Sequence, residues 1–241
     1  MMTNLTQSTG KILPMLAVAG GLLLAGCSDN DHSDSTPPPT PELDKMFTIT
    51  VTNLTANQPM SPIALLAIDK DYYPWQTGEM ASHALEKLAE SGDSSGFVAQ
   101  AGTIASLTTG EGILAPGASE TLTVTLAQDA TSVAVLTMLV NTNDAFSGLN
   151  HLDLDAMNIG DTQQKLAAVY DAGTEANSEL KGTIPGPADG GEGFNADRDD
   201  VNRVHLHPGV ISHDDGLMDS VLNASHRFDN PTLRITLKRT R

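Results

Sequence analysis

Three carboxylates stand in two loops that each follow a predicted strand. Asp144 lies just past a strongly apolar stretch, in Asn141-Thr142-Asn143-Asp144-Ala145-Phe146-Ser147-Gly148. Asp171 and Glu175 follow a second, weaker apolar stretch, in Asp171-Ala172-Gly173-Thr174-Glu175. If two strand-end loops bring these side chains together, like charges that close require a cation. Oxygen-only ligands select a hard ion, and loop backbone favours Ca2+ over the stricter octahedral Mg2+. Acidic loops are more often simply solvated, so the residues by themselves leave both readings open.

A second constellation is His205-Leu206-His207, on a predicted strand, with His213, Asp214 and Asp215 nearby in sequence. A period of two puts both imidazoles on one strand face, and imidazole with carboxylate suits zinc or another transition metal. The alternative is a polar strand face followed by a turn at Pro208-Gly209. Gly92-Asp93-Ser94-Ser95-Gly96 matches G-x-S-x-G, but the hydrolase elbow needs a strand before its serine and a helix after it. Here a predicted helix comes first, which leaves a Ser/Gly turn. Asp197-Arg198-Asp199-Asp200 has the acids that open an EF-hand loop but not its glycine and glutamate. There is no Walker sequence, GxGxxG fingerprint or aromatic-interleaved basic patch.

The elements that would hold these residues are mostly strands. Phe47–Thr52 alternates apolar and polar, as do Thr121–Leu126 and Leu233–Lys238, so each reads as a half-buried strand. Ile63–Ile68 and Val133–Val140 are continuous apolar runs, the mark of buried strands. Lys165–Tyr170 and Val201–Leu206 are weaker strand candidates. One helix is signalled over Glu79–Ser91, where Ala81, Ala84, Leu85 and Leu88 share a face and Gly92 sits where a C′ glycine would end it. Several strands, turn-rich joints and one helix predict an all-β antiparallel sandwich with one short helix. Glu175–Asp200, with seven acids, five glycines and two prolines, predicts a long loop of the kind that is usually functional or mobile.

The front of the chain reads as an address. Ile12–Gly26 is an uncharged apolar run preceded by Lys11, shorter than the ~20 residues of a spanning helix, and it fits an export signal. It ends in Leu24-Ala25-Gly26-Cys27, which resembles the lipobox of bacterial lipoproteins. That resemblance implies that Cys27, the only cysteine of the chain, is acylated and becomes the mature N-terminus. Ser28 stands where inner-membrane retention signals usually carry Asp, so the expected location is the outer membrane. Ser28–Asp44 holds four prolines and five acids with almost nothing apolar, and so reads as a disordered stalk. The expected division is a signal over residues 1–26, acylated Cys27 and stalk over 27–45, and one folded domain over 46–241. Of the 241 residues, 13 are basic and 30 acidic, a formal net charge of −17. A sheath of that sign repels phosphate backbones, so no nucleic-acid partner is expected.

Four stretches, Gly78–Gly92, Val133–Leu149, Tyr170–Glu175 and Asn230–Arg239, give the folded part a closer resemblance. Together they are similar to the spondin domain family, known from F-spondin and mindin. The resemblance implies a β-sandwich similar to calcium-dependent lipid-binding domains. It also implies one Ca2+ at a loop end, with the family's three carboxylate ligands falling on Asp144, Asp171 and Glu175. Ala145 stands where the family carries tryptophan, Glu175 where it carries aspartate, and the family's cysteines are absent. The implied role is adhesion or recognition of a surface protein or glycan, without catalysis. The alternatives are an envelope metal-dependent enzyme using His205, His207 and nearby acids, and a small-molecule binder using the 175–200 loop.

Overall fold

Segments that alternate in the sequence build one sheet, and segments that are apolar throughout lie at the centre of another. In the computed structural model, which describes residues 44–99, 103–127 and 130–241, a four-stranded sheet runs in the order β4 (Ser119–Leu126), β1 (Lys45–Asn53), β10 (Leu233–Arg239), β7 (Thr162–Ala167). A six-stranded sheet runs β3 (Ile104–Thr109), β2 (Ala64–Ile68), β5 (Ser132–Met138), β6 (Ala145–Asp153), β8 (Val169–Asp171), β9 (His205–Leu206). All strand pairs are antiparallel. The expected antiparallel sandwich with one helix is the observed fold.

Burial explains the two patterns. Phe47, Ile49 and Val51 of β1 join Leu122, Val124 and Leu126 of β4 and Ile235 and Leu237 of β10 between the sheets, against Leu65, Val133 and Val135. The other face of the four-stranded sheet is largely exposed or half-buried, so its strands alternate. β2 and β5 are buried on both faces. Their second face, with Leu66, Ala134 and Leu136, is covered by Leu85 and Leu88 of the helix and by Trp75 and Phe97. Each such side chain contributes about 1.5–3 kcal/mol on burial.

The helix, α1, spans His83–Ser91 and starts four residues later than its periodicity predicts. Ser82 is the reason. Its extended backbone caps the helix, and its Oγ accepts from Leu85 N at 3.2 Å. The backbone of Gly78 and Glu79 pairs instead with Val204, so Glu79 serves the sheet edge and not the helix terminus. At the other end Gly92 takes φ 73° and its N–H closes on Leu88 O, the left-handed cap that glycine favours.

Three further differences bear on the site. The expected Lys165–Tyr170 strand divides at Ala168, so that β7 joins one sheet and β8 the other. The expected Val201–Leu206 strand shrinks to β9, with only two residues. The Ala145–Gly148 stretch, read as loop, is the start of β6. β1 starts at Lys45, one residue before the expected domain start. The expected signal, Cys27 and the expected stalk up to residue 43 lie outside the described residues. No helix among the described residues is long and apolar enough to cross a membrane.

The two ends of the sandwich differ. Lys45 begins β1 and bonds Asp155 at 2.6 Å, at the end where Ser132 pairs Asp153. β1 finishes at Asn53, whose side chain donates to the carbonyls of Gln58 and Leu114. Gln58 in turn donates to Asn141 O at 3.3 Å. The Asn141–Asp144 turn therefore lies at the end of the sandwich opposite Lys45.

Candidate metal centre

The turn between β5 and β6 is tight and buried. Thr142 Oγ1 donates to Leu139 O at 2.6 Å and accepts from Ala145 N at 3.1 Å. This aims Asp144 across at β8, where Ala145 is in register with Asp171 and Ala172 N donates to Asp144 O. The long loop seals the turn from outside. Ala188 N donates to Asn141 Oδ1 at 3.0 Å, and Asn143 Nδ2 donates to Thr183 Oγ1 at 3.1 Å. Gly186 lies so close that a Cβ there would run into the Val140 carbonyl.

Asp144 is fully buried, and its two oxygens fare differently. Oδ2 accepts from Thr174 N at 2.7 Å, Thr174 Oγ1 at 3.1 Å and Glu175 N at 3.1 Å. Oδ1 has no hydrogen-bond partner. Burial, with the charge of Asp171 added, pushes the Asp144 carboxyl up to about 8 despite those three donors. Glu175 is also pushed up to about 8, by burial first and then by the charges of Glu90, Asp144, Asp199 and Glu192. Glu90, on α1, is itself fully buried. Its Oε2 takes Asn195 N at 2.9 Å while its Oε1 is unpartnered. An acid-lined cleft of about 80 Å3 opens beside Glu175, between Asn143 and Asp199, enough for an ion with several waters.

Asp171 is held from several sides. Its Oδ1 accepts from Gly173 N at 2.7 Å, and its Oδ2 from Asn177 Nδ2 at 2.6 Å. Asn177 Oδ1 faces His207 Nε2 at 3.1 Å, and His207 Nδ1 accepts from Gly209 N at 2.9 Å. The acceptor role of Nδ1 assigns the ring proton to Nε2, which donates to Asn177. Burial pushes His207 down to about 4, so the ring is neutral at physiological pH.

The structure thus brings the segments of Asp144, Asp171 and Glu175 to one buried end. It also brings the two histidines there, but in different roles. His205 is paired across the ladder with Asp171, and the ligand atoms of Asp171, Asp200 and His205 all lie within 4.8 Å of one another. Asp171 is buried, the other two half-buried, and the group could hold a metal ion. His207 is not in it, and both its ring nitrogens are engaged elsewhere, with Asn177 and Gly209. His213, Asp214 and Asp215 form a separate exposed turn, with Asp215 capping Ser212 and pairing Arg227. Ser94 follows α1, and Asp93 Oδ1 accepts from Ser95 N at 2.9 Å, a turn in place of a nucleophile elbow.

Asp200 and Asn177 are the residues that sequence reasoning missed. Asp200 stands in the acidic run discounted as an incomplete EF-hand. Its position comes from two backbone bonds, Asp199 N to Thr174 O at 3.1 Å and Asn202 N to Gly173 O at 2.8 Å. These lay the loop's end along the Asp171–Glu175 turn. The Spondin_N family model matches residues 56–182, more than half of the chain. That span includes Asp144, Asp171 and Glu175 and stops short of Asp200 and His205. No curated protein matches the chain.

Proposed function

The chain belongs to the Spondin_N family, and from that premise we propose that it is a calcium-dependent recognition module of the cell envelope, anchored through acylated Cys27. The observation that carries the ion is Asp144 Oδ1, buried, without a hydrogen-bond donor and next to a second buried carboxylate. An unpaired buried carboxylate oxygen is costly, and a bound cation removes that cost. Asp144, Asp171 and Glu175 would hold the ion through oxygen, the donor set that suits Ca2+. When bound, Ca2+ would neutralise the clustered acids. With three carboxylates, affinity on the order of 10^-4–10^-3 M is expected, as in extracellular modules.

The protein's own residues explain why that end is suited to presentation. The turn, the Asp171–Glu175 segment and the long loop brace one another through Asn141 and Asn143 and through the backbone bonds of Asp199 and Asn202 to Thr174 and Gly173. They lie at the end of the sandwich away from Lys45, where the stalk would enter. The occupant of that end is a surface protein or glycan. Nothing at the site assembles a nucleophile with a base, so binding is the reading the side chains favour over catalysis.

The test is a thermal melt of the purified full chain in chelator and in millimolar Ca2+. Ca2+ should raise the melting temperature, and Asp144→Asn should abolish the rise. A melt that ignores Ca2+ overturns the reading.

A further inference from the structure

We propose that Asp171, Asp200 and His205 form a second ion site, one that takes a borderline transition metal, Zn2+. It shares Asp171 with the calcium reading but does not depend on that reading.

The backbone builds the site from three separate stretches. Asp171 ends β8 and His205 begins β9, and the two are in register. Residues directly opposite in an antiparallel pair project from the same face of the sheet. Asp200 is brought in by the pairing of Asp199 and Asn202 with Thr174 and Gly173. Gly173, at φ 70°, allows the approach, because a Cβ there would run into the Arg203 backbone.

One pair in the group stands slightly wider than two ligands on one ion. His205 Nδ1 lies 3.6 Å from Asp171 Oδ1, beyond the usual hydrogen-bond range of about 2.7–3.2 Å. Two ligands on one tetrahedral zinc, each bonded at about 2.0–2.1 Å, stand roughly 3.3–3.5 Å apart. His205 Nδ1 also reaches Arg203 O at 3.3 Å, a bond that the ring nitrogen gives up when it takes the ion. Among the described residues no lysine or arginine pairs with Asp171 or Asp200, so a cation's place in the group is not already filled by a side chain.

The donor set determines the ion class. Ca2+ and Mg2+ take oxygen, whereas an imidazole nitrogen beside two carboxylates favours zinc. With Asp171 at its buried base and Asp200 and His205 at its half-exposed rim, the site leaves at least one coordination position open to water or to a partner's group.

Direct titration with ZnCl2 tests this, using the full chain carrying Cys27→Ser so that no thiol competes. One equivalent of Zn2+ should bind. His205→Gln and Asp200→Asn should each weaken binding at least about tenfold, while His213→Gln, in the separate exposed turn, should leave it intact. Co2+ substituted for Zn2+ should give visible d–d bands that His205→Gln removes. Absence of stoichiometric Zn2+ overturns the proposal, as does equal binding by both rim variants with melts like the parent's. Loss of the Ca2+ response alone would overturn the calcium reading and leave this one standing.

Discussion

Asn177 Nδ2 donates to Asp171 Oδ2 at 2.6 Å while its Oδ1 faces His207 Nε2 at 3.1 Å. The amide thus ties the buried carboxylate to a neutral buried ring that is itself fixed by Gly209 N. Such outer partners orient a ligand and tune its basicity. Asn177→Ala should lower Ca2+ affinity about 10- to 100-fold without removing any ligand. Calorimetric titration with CaCl2 checks this, and unchanged affinity would mean that Gly173 N and packing alone orient Asp171.

Glu179 offers a pH test away from the ligands. It is 1% exposed, its Oε1 accepts from Ile211 N at 3.1 Å, and its Oε2 is unpartnered. Burial raises its pKa above the ordinary 4.5. The folded state therefore holds a proton that the unfolded chain loses, and this group's contribution to stability falls as pH rises from 4.5 through the folded value. Glu179→Gln keeps the acceptor and removes the charge. Urea unfolding should show it about 1–3 kcal/mol more stable than the parent at pH 8, with the difference shrinking toward pH 4.5. A pH-independent difference would sink the argument.

The parts of the fold that could be read in advance are those whose burial is simple. β1, β4 and β10 have one wet face and alternate, while β2 and β5 have none and run apolar. β3, Ile104–Thr109, went unread because no residue in it is fully buried. β6 hid because Ser147 and Gly148 interrupt its apolar pattern for reasons of contact. Ser147 Oγ donates to Ala168 O, and a Cβ on Gly148 would strike the Val135 carbonyl. The division of β7 from β8 is a tertiary choice, with β7 drawn to β10 and β8 to β6. Of the group whose ligand atoms the structure brings together, Asp171 was legible in the Asp171–Glu175 motif. Asp200 was not, since backbone pairing across some 26 intervening residues brings it in, and no local pattern encodes that.

Arg198 clamps the long loop to α1. Its Nε and Nη2 each reach Glu86 at 2.7 Å, Nη2 also donates to Ala81 O, and Nη1 reaches Asn202 Oδ1 at 2.8 Å. Glu86 is buried, and the Arg198 hydrogen bond holds its pKa below the ordinary value. Arg198→Met leaves that carboxylate with only the exposed His83 Nδ1 for a partner, at 3.2 Å, at a cost of roughly 3 kcal/mol at neutral pH. A lowered folded pKa stabilises above the unfolded value and fades as pH falls through the folded one. The penalty should therefore diminish in acid. Hydrogen exchange should speed up across residues 192–202, and unchanged protection there would show that the loop is held by other contacts.

The anchor is tested apart from the folded domain. Cys27→Ser removes the only thiol, and with it the proposed site for acylation. The protein should move from the membrane fraction to the soluble fraction and lose palmitate label. Retention on membranes with the serine in place would argue for an uncleaved apolar segment or a protein partner as the tether.

Gly173 is where backbone geometry and the two proposed ion sites meet. Its φ of 70° is left-handed, its N–H donates to Asp171 Oδ1 at 2.7 Å, and its Cα lies against the Arg203 backbone. Gly173→Ala adds a methyl that must displace that backbone and strains the turn. Both consequences fall on the ligands, because Asn202 N bonds Gly173 O and Thr174 N bonds Asp144. The expected result is a loss of about 1–3 kcal/mol with weaker binding of both Ca2+ and Zn2+. His205→Gln should lower Zn2+ affinity only. A thermal melt paired with both titrations separates the cases, and Gly173→Ala with parental ion affinities would show that the turn does not position Asp171.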